Sequence, residues 1–433
     1  MERMILEDLK RWKQKKNRKP LIIQGARQVG KTWIMKEFGR QCFEQVVYIS
    51  FDNNEQLKNI FELDYSIPRI ISALKIISGK QIHAENTLLI FDEIQEAPKA
   101  LTALKYFQEN APEYAIVAAG SLLGVALHQG TSFPVGKVDF LHLYPMNFRE
   151  FLLAIGEGEL AKLIKNQDLE MISAFHPKLS DLLRHYYYVG GMPEAVQAYV
   201  DTDDLQEVRS IQKSLLLYYK NDFSKHAPTD TVPRIQMVWE SIPKQLSKEN
   251  KKFVYGVLRK GARAKEFELA IQWLQDCGLI HKSIRIDKPA MPLISYEDMS
   301  AFKIYMLDVG LLGARGDLDA KTILNGNEIF CEFKGSMTEQ FVAQELKSYN
   351  MDLYYYSAEN SRGEVDFIVQ RNGHIVPIEV KAEENLQAKS LKALVTKYNL
   401  NDAIRSSMTN YKHQDWVTNV PLYILAEYLC KKY

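Results

Sequence analysis

The sequence predicts an α/β protein built on a parallel sheet, with a second, smaller α/β region at its C-terminal end. Three observations predict it. A glycine-rich stretch, GARQVGKT at 25–32, sits between the short apolar run Leu21–Ile23 and a helical pattern. A second apolar run, Leu88–Phe91, ends in the adjacent acids Asp92 and Glu93. Near the C-terminus, GEVDFIVQRNGHIVPIEVKA at 363–382 alternates valine and isoleucine with charged residues around an Asn-Gly pair.

The chain of 433 residues is long enough for two or three domains of roughly 100–200 residues each. A net charge of +1 gives no overall field for nucleic acid, so such binding must rest on local patches. The cysteines Cys42, Cys277, Cys331 and Cys430 are widely spaced with no Cys-x-x-Cys pair. That argues against a zinc site or a disulfide framework and suits a reducing cytosol. No apolar run approaches the ~18 residues of a membrane span, and the N-terminus lacks the apolar core of a secretory signal, so a cytoplasmic protein without membrane contact is expected.

The 25–32 stretch has the spacing G-x-x-x-x-G-K-T. Gly25 and Gly30 permit the tight wrap that points backbone N–H groups at phosphate oxygens, and the helix that follows adds partial positive charge. Lys31 is expected on the β- and γ-phosphates of ATP and Thr32 on Mg²⁺. Arg27, inside the loop, would be an alternative phosphate contact. Asp92 would hold Mg²⁺ through water and Glu93 would polarise the attacking water, because open α/β sheets place ligands at the C-terminal ends of their strands. The same two acids would otherwise serve as a helix cap. QVVYISFD (45–52), YAIVAAGS (114–121) and KVDFLHLYP (137–145) supply three more strands interleaved with helical segments. Ser121 ends one of them and would sense the γ-phosphate, or be a plain strand-end hydroxyl.

GARQVGKT, LLIFDEIQ, AAGS, LYPMNFREF (143–151) and YVGGMPEAV (188–196) together resemble AAA-type ATPases. They are most similar to a bacterial and archaeal group that carries a C-terminal extension, and the resemblance covers essentially the whole chain. It implies an ATP- and Mg²⁺-dependent hydrolase. It makes Arg149 a candidate trans-acting arginine that completes a neighbour's site in a homo-oligomer, against the plainer reading of a surface arginine at a helix start. Arg184 is the nearest match to a second sensor arginine.

Residues 201–225 carry apolar side chains at helical spacing. MVWESIPKQL, KFVYGVL and EFELAIQWLQDCGL then read as three short helices, the last stopped at Gly278, and LIHKSIRID (279–287) reads as a strand. Three helices followed by a strand-rich wing is the helix-turn-helix plan. Lys248, Lys251, Lys252, Arg259, Lys260, Arg263 and Lys265 cluster here and would face DNA phosphates, or else form a solvated face beside a protein-docking module. The run KRWKQKKNRK (10–19) is a second basic patch with a stronger claim to be solvated. Asp308 has no partner acid in sequence and is expected to be structural.

In the 363–382 stretch, Asn372-Gly373 specifies a two-residue hairpin. Arg371 then pairs with His374, Phe367 with Ile378, Asp366 with Glu379, and Glu364 with Lys381. Period-two alternation places Val365, Phe367, Val369, Val376, Ile378 and Val380 on an apolar face and the four charged residues on the other. Two opposed carboxylates repel unless a divalent cation lies between them. Pro377 cannot donate to a neighbouring strand. This arrangement resembles the PD-(D/E)xK nuclease core. The resemblance implies metal held by Asp366 and Glu379, Lys381 stabilising charge on the reacting phosphate, and Glu339 as the acid on an upstream helix (336–349). Val365 stands where that motif's name has proline.

The expected architecture is thus a parallel P-loop NTPase sheet with a helical lid (1–225), a winged-helix domain (226–322) and an α/β restriction-endonuclease-like domain (323–433). The expected activity is ATP hydrolysis with nucleotide-gated DNA cleavage. The rival is a non-cleaving regulatory ATPase that binds DNA or a partner protein.

Overall fold

A computed structural model describes residues 2–120, 134–248, 251–325, 331–358, 363–382 and 388–433. Its contacts divide the chain into two compact units, residues 2–144 with 276–278 and residues 145–275 with 279–433.

In the first unit β1 (Leu21–Gln24), β2 (Gln45–Ser50), β3 (Thr87–Asp92), β4 (Ala115–Ala119) and β5 (Asp139–His142) form one sheet in the order β2-β3-β4-β1-β5. Every neighbouring pair is parallel. Parallel neighbours need crossover connections, which helices such as Lys31–Cys42 and Pro98–Asn110 provide. β3 and β4 are buried at every residue, as apolar runs covered on both faces should be. One face of the sheet meets a cluster in which Phe51, Phe61 and Phe91 pack edge to face. The expected α/β fold with a parallel sheet is present. Ser121 lies outside the described residues.

In the second unit, helices between Phe148 and Leu246 precede an eight-stranded mixed sheet. Its strands are β6 (Ile280–Ile286), β7 (Glu297–Met306), β8 (Tyr354–Ser357), β9 (Glu364–Arg371), β10 (His374–Val380), β11 (Ile404–Ser407), β12 (Lys412–His413) and β13 (Thr418–Pro421). Their order is β12-β13-β11-β10-β9-β8-β6-β7, so the sheet continues across residue 322. β6 and β7 are antiparallel, and β6 pairs with β8 in parallel.

The β9–β10 hairpin has the expected register from His374↔Arg371 to Ile378↔Phe367, but the ladder stops there, short of the expected Asp366–Glu379 and Glu364–Lys381 pairs. Asn372 and Gly373 take φ of 46° and 85°, the positive values that a two-residue turn requires. Pairing of β10 with β11 begins at Ile378, just past Pro377, where a backbone donor is again present.

Two expectations need correction. KFVYGVL is not a helix: only Tyr255–Val257 makes a 3₁₀ turn. The Phe253 N–H bonds to Phe302 O on β7 (2.7 Å), and the Val254 N–H to Gln245 Oε1 (3.1 Å), which holds the segment extended. Nor does strict alternation run through β9. Tyr354 pairs with Ile368 but Tyr356 pairs with Val365, so β9 carries one extra residue at Asp366–Phe367. Val365 therefore joins Ile368 in a cluster with Ile286, Leu391 and Leu394, whereas Phe367 packs against Tyr305. Bulges of this kind re-aim side chains, and Val365 is re-aimed here.

Candidate functional site

The first unit places Gly25, Arg27, Gly30, Lys31 and Thr32 in one loop that leaves β1 and enters the helix Lys31–Cys42. Gly30 caps that helix at φ 95°, a left-handed value. At Gly25 a Cβ would lie 2.2 Å from Leu143 O, so only glycine fits this approach. Arg3, which no sequence pattern marks, braces the loop by donating to Val29 O (3.0 Å) and Tyr144 O (2.6 Å).

The Lys31 ammonium folds back onto the loop, donating to Gly25 O at 2.9 Å and Ala26 O at 2.7 Å. Burial pulls its pKa down to about 8, against the opposing pull of Glu93 and Asp92. Thr32 Oγ1 donates to Asp92 Oδ2 at 2.6 Å, which brings the end of β3 to the start of the helix. Tyr48, on the neighbouring strand β2, donates to the same Oδ2 at 2.9 Å, and the Glu93 N–H donates to Oδ1 at 3.1 Å. Burial beside Asp92 pushes the Tyr48 phenol up to about 12. Glu93 turns out of the strand at φ 51° and receives Gln95 Nε2 on Oε2 at 2.5 Å. A hydroxyl, a carboxylate and a folded-back lysine, at a loop whose position 25 admits only glycine, form a donor set that suits Mg²⁺ and a phosphate chain.

The second unit gathers Glu339, Glu364, Asp366, Glu379 and Lys381, and adds three residues that sequence reasoning had not placed there. Lys381 Nζ lies 2.7 Å from Glu379 Oε1. Asp366 Oδ2 accepts from the Val380 N–H at 2.7 Å, so at this end the carboxylate takes over from the ladder. Lys303, on β7 and wholly buried, reaches Glu364 at 2.5 Å and Glu339 at 3.7 Å. Lys251 pairs with Glu339 Oε1, and the Tyr305 hydroxyl donates to Glu339 Oε2 at 3.3 Å.

Burial, with Glu339 and Glu379 nearby, raises the Asp366 carboxyl well above its usual range. Glu379 is raised by burial, with Lys381 opposing. Burial works against the charge on Glu339, but Lys251 and Lys303 outweigh it and hold that carboxyl low. Glu379 Oε2 is buried and has no hydrogen-bond partner among the described residues. Among the described residues no three His, Cys, Asp or Glu side chains converge as a ready metal cage.

Other candidates are engaged elsewhere. Arg149 is mostly buried and pairs with Glu427, which also accepts from the Tyr349 hydroxyl at 2.8 Å. A guanidinium so held does not project toward a neighbour's site. Arg184 pairs with Asp181 on its own helix. In the basic cluster Lys251 serves Glu339 and Arg259 serves Glu266, while Lys260, Arg263 and Lys265 are exposed. In the N-terminal run, Lys10 and Arg11 pair with Glu7 and Asp8, and Lys15 lies 3.2 Å from Asp139. Asp308 is structural. It caps the helix Val309–Arg315 and accepts from the Gly191 N–H at 2.6 Å, and burial pushes it up to about 6.

Comparison with known proteins follows this division of labour. Residues 17–152 match the AAA domain family, residues 180–322 a domain of unknown function (DUF8612), and residues 334–425 another (DUF4143). No curated protein matches the chain. Among solved structures, a Walker-type ATPase of Pyrococcus abyssi is similar at 13% identity over 72% of this chain and 95% of its own, with a TM-score of 0.46. The Aeropyrum pernix Orc1 protein, solved in complex with DNA, is similar at 13% identity over 73% of this chain and 93% of its own, with a TM-score of 0.27. Cdc6p from Pyrobaculum aerophilum is similar at 10% identity over 71% and 88%, with a TM-score of 0.22. Among the described residues no helix is long and apolar enough to cross a membrane. The match that covers the glycine loop and Asp92, residues 17–152, is thus to the AAA domain.

Proposed function

We propose that this chain binds and hydrolyses ATP with Mg²⁺, and that its C-terminal region is a nuclease-like module acting on DNA under the control of nucleotide state. The observation that carries the ATPase reading is the 2.6 Å bond between Thr32 and Asp92 beside a lysine folded onto a glycine loop. Mg²⁺, when bound, supplies charge neutralisation to the phosphates. Thr32 and Asp92 hold it, with Asp92 oriented by Tyr48. Lys31 leaves the carbonyls of Gly25 and Ala26 for the β- and γ-phosphates, and Arg27 adds a phosphate contact. Glu93 takes the proton of the attacking water, its carboxylate steadied by Gln95. Ser121 is assigned to γ-phosphate sensing.

The nuclease-like reading rests on Asp366 and Glu379 at the open end of one hairpin, with Lys381 beside them and Glu339 arriving from the helix Cys331–Ser348. In it Asp366 and Glu379 hold a metal ion and Lys381 faces the reacting phosphate. The buried Glu379 Oε2 is a hard oxygen donor of the kind a divalent cation takes. The domains are then 1–225, 226–322 and 323–433, with the helices Val232–Leu246 and Ala264–Asp276 and the β6–β7 hairpin as a winged helix. Lys260, Arg263 and Lys265 are its candidate phosphate contacts. A cytoplasmic location and self-association complete the reading.

A second reading, a regulatory ATPase that binds DNA or a partner without cutting, is favoured by one observation. Lys251 and Lys303 already neutralise Glu339 and Glu364. One experiment separates the two. ATP turnover and cleavage of plasmid and single-stranded DNA are measured with Mg²⁺ or Mn²⁺, with and without ATP, beside Lys31→Ala and Lys381→Ala. Cutting that is lost in Lys381→Ala establishes the nuclease, and its loss in Lys31→Ala shows the coupling. ATP turnover with no cutting under any condition leaves the switch.

A further inference from the structure

At the end of the β9–β10 hairpin four carboxyl groups, Glu339, Glu364, Asp366 and Glu379, meet three lysines, Lys251, Lys303 and Lys381. Two of those lysines come from far upstream and differ in how they are held. Lys303 stands mid-strand in β7, opposite Ser283 on β6, with its side chain fully buried. Its ammonium lies between Glu364 and Glu339, and a lysine so enclosed cannot leave without exposing both acids to each other. Lys251 lies outside any helix or strand, two residues before Phe253 is tied to β7. Its ion pair is with Glu339 alone, and its side chain keeps 12% exposure.

The carboxylates carry a complementary signal. Glu379 is 7% exposed, one of its oxygens is taken by Lys381, and the other is buried with no partner among the described residues. Buried carboxylate oxygens are ordinarily satisfied, so this one is aimed at something with positive charge or a proton. Hard divalent ions take carboxylate oxygens, and the lone pairs of Glu339 that face Lys251 cannot serve an ammonium and a metal together.

We propose that Lys303 is a permanent cation of this site and Lys251 a displaceable one: a divalent metal ion binds Asp366, Glu379 and Glu339 by displacing the Lys251 ammonium from Glu339. The assignment rests on the nuclease-like reading of the hairpin. Lys251 then sets the metal affinity of the site from within the chain. Any ligand that draws this lysine away, a DNA phosphate included, raises that affinity.

The test uses the full nucleotide-free chain and Mn²⁺ alone, with binding followed by electron paramagnetic resonance. Lys251→Gln should bind Mn²⁺ at least tenfold more tightly than the wild type, and Lys251→Gln/Asp366→Asn should lose the gain. Lys251→Arg keeps the charge and should show no gain, which separates charge removal from loosening. A second measurement needs no variant of Lys251. Mn²⁺ should raise the acetylation of Lys251 by acetic anhydride several-fold in the wild type, and Asp366→Asn should abolish that rise. If Mn²⁺ binds the wild type, depends on Asp366, and is indifferent to Lys251 in both measurements, the competition is wrong and the nuclease-like reading stands. If Mn²⁺ binds none of these proteins, both fall.

Discussion

Thr32 and Asp92 are joined by a 2.6 Å hydrogen bond between the Thr32 hydroxyl and Asp92 Oδ2. In the proposed ATPase site these two side chains are the Mg²⁺ ligands. Thr32→Ala should cut ATP turnover by about 100-fold and abolish the tightening of ATP binding by Mg²⁺, as titration with a fluorescent nucleotide will show. Tyr48→Phe removes a donor to the same oxygen and leaves both ligands in place. It should weaken the Mg²⁺ dependence by about tenfold, the usual scale for a residue that orients a ligand, and leave metal-free nucleotide binding unchanged. Equal behaviour of Tyr48→Phe and wild type across a Mg²⁺ titration would remove Tyr48 from the site.

Gly191 is a packing requirement. A Cβ there would lie 1.9 Å from Met146 O and 2.8 Å from Met146 N, and those backbones already bond, Met146 N–H to Gly191 O at 2.7 Å. Gly191→Ala should destabilise the fold by about 3 kcal/mol or more, read as a lowered urea midpoint with unchanged slope. Gly158 begins a helix with nothing within 4 Å of its would-be Cβ. Gly158→Ala should therefore stay within about 1 kcal/mol of wild type.

Glu345 makes stability depend on pH. It is buried, accepts from the Phe148 N–H at 2.7 Å, and burial raises its carboxyl to about 8 from an ordinary 4.5. Between those values the folded chain holds a proton that the unfolded chain has released, so this residue's contribution falls as pH rises from about 5 to about 8. Asp308, raised to about 6, acts in the same direction over a lower range. Glu345→Gln keeps an acceptor for Phe148 without the charge. Its melting temperature relative to wild type should climb steadily between about pH 5.5 and 8.5 in calorimetry. A constant difference across that range would contradict the assignment.

Lys303, wholly buried, and Glu364, half-buried, form an ion pair 2.5 Å apart. Lys303→Met leaves the acids without their counter-ion and should cost about 3–5 kcal/mol in urea unfolding. Lys303→Met/Glu364→Gln should recover a measurable part of that loss, because breaking one partner of a buried pair is worse than replacing both. A double variant no more stable than Lys303→Met would mean that Glu364 is not the partner that matters.

The phosphate loop was legible because its chemistry is contiguous. Eight residues in a row, Gly25–Thr32, state a loop, a helix start and two functional side chains, and Leu88–Glu93 state a strand with its acids. The 364–380 hairpin was legible because Asn372-Gly373 pins its register. What escaped the sequence came from distance along the chain. Lys303 meets Glu364 across 61 residues and Arg149 meets Glu427 across 278, and no local pattern marks either pair. Arg149 therefore read as a surface residue or a donor to a neighbour, when it is an internal ion-pair partner. The extra residue in β9 is set by its other neighbour, β8, so alternation read from the hairpin alone put Val365 on the wrong face. KFVYGVL has helical-looking spacing, but a backbone acceptor on β7 competes for its N–H groups and wins.

The parallel pairing of β6 with β8, from Ile284↔Tyr354 to Ile286↔Tyr356, also bears on how this chain can be inherited. A break at residue 322 would strip β8 of a neighbour and leave a row of unsatisfied backbone groups, the kind of edge that recruits other chains. It would also send Lys303 away with one piece and leave Glu339 and Glu364 with the other. A recombination event that joined the C-terminal tail of one relative to the middle of another would transplant acids without the cation they are built around. These two segments are therefore expected to change in concert, each substitution at one side of the pair answered on the other.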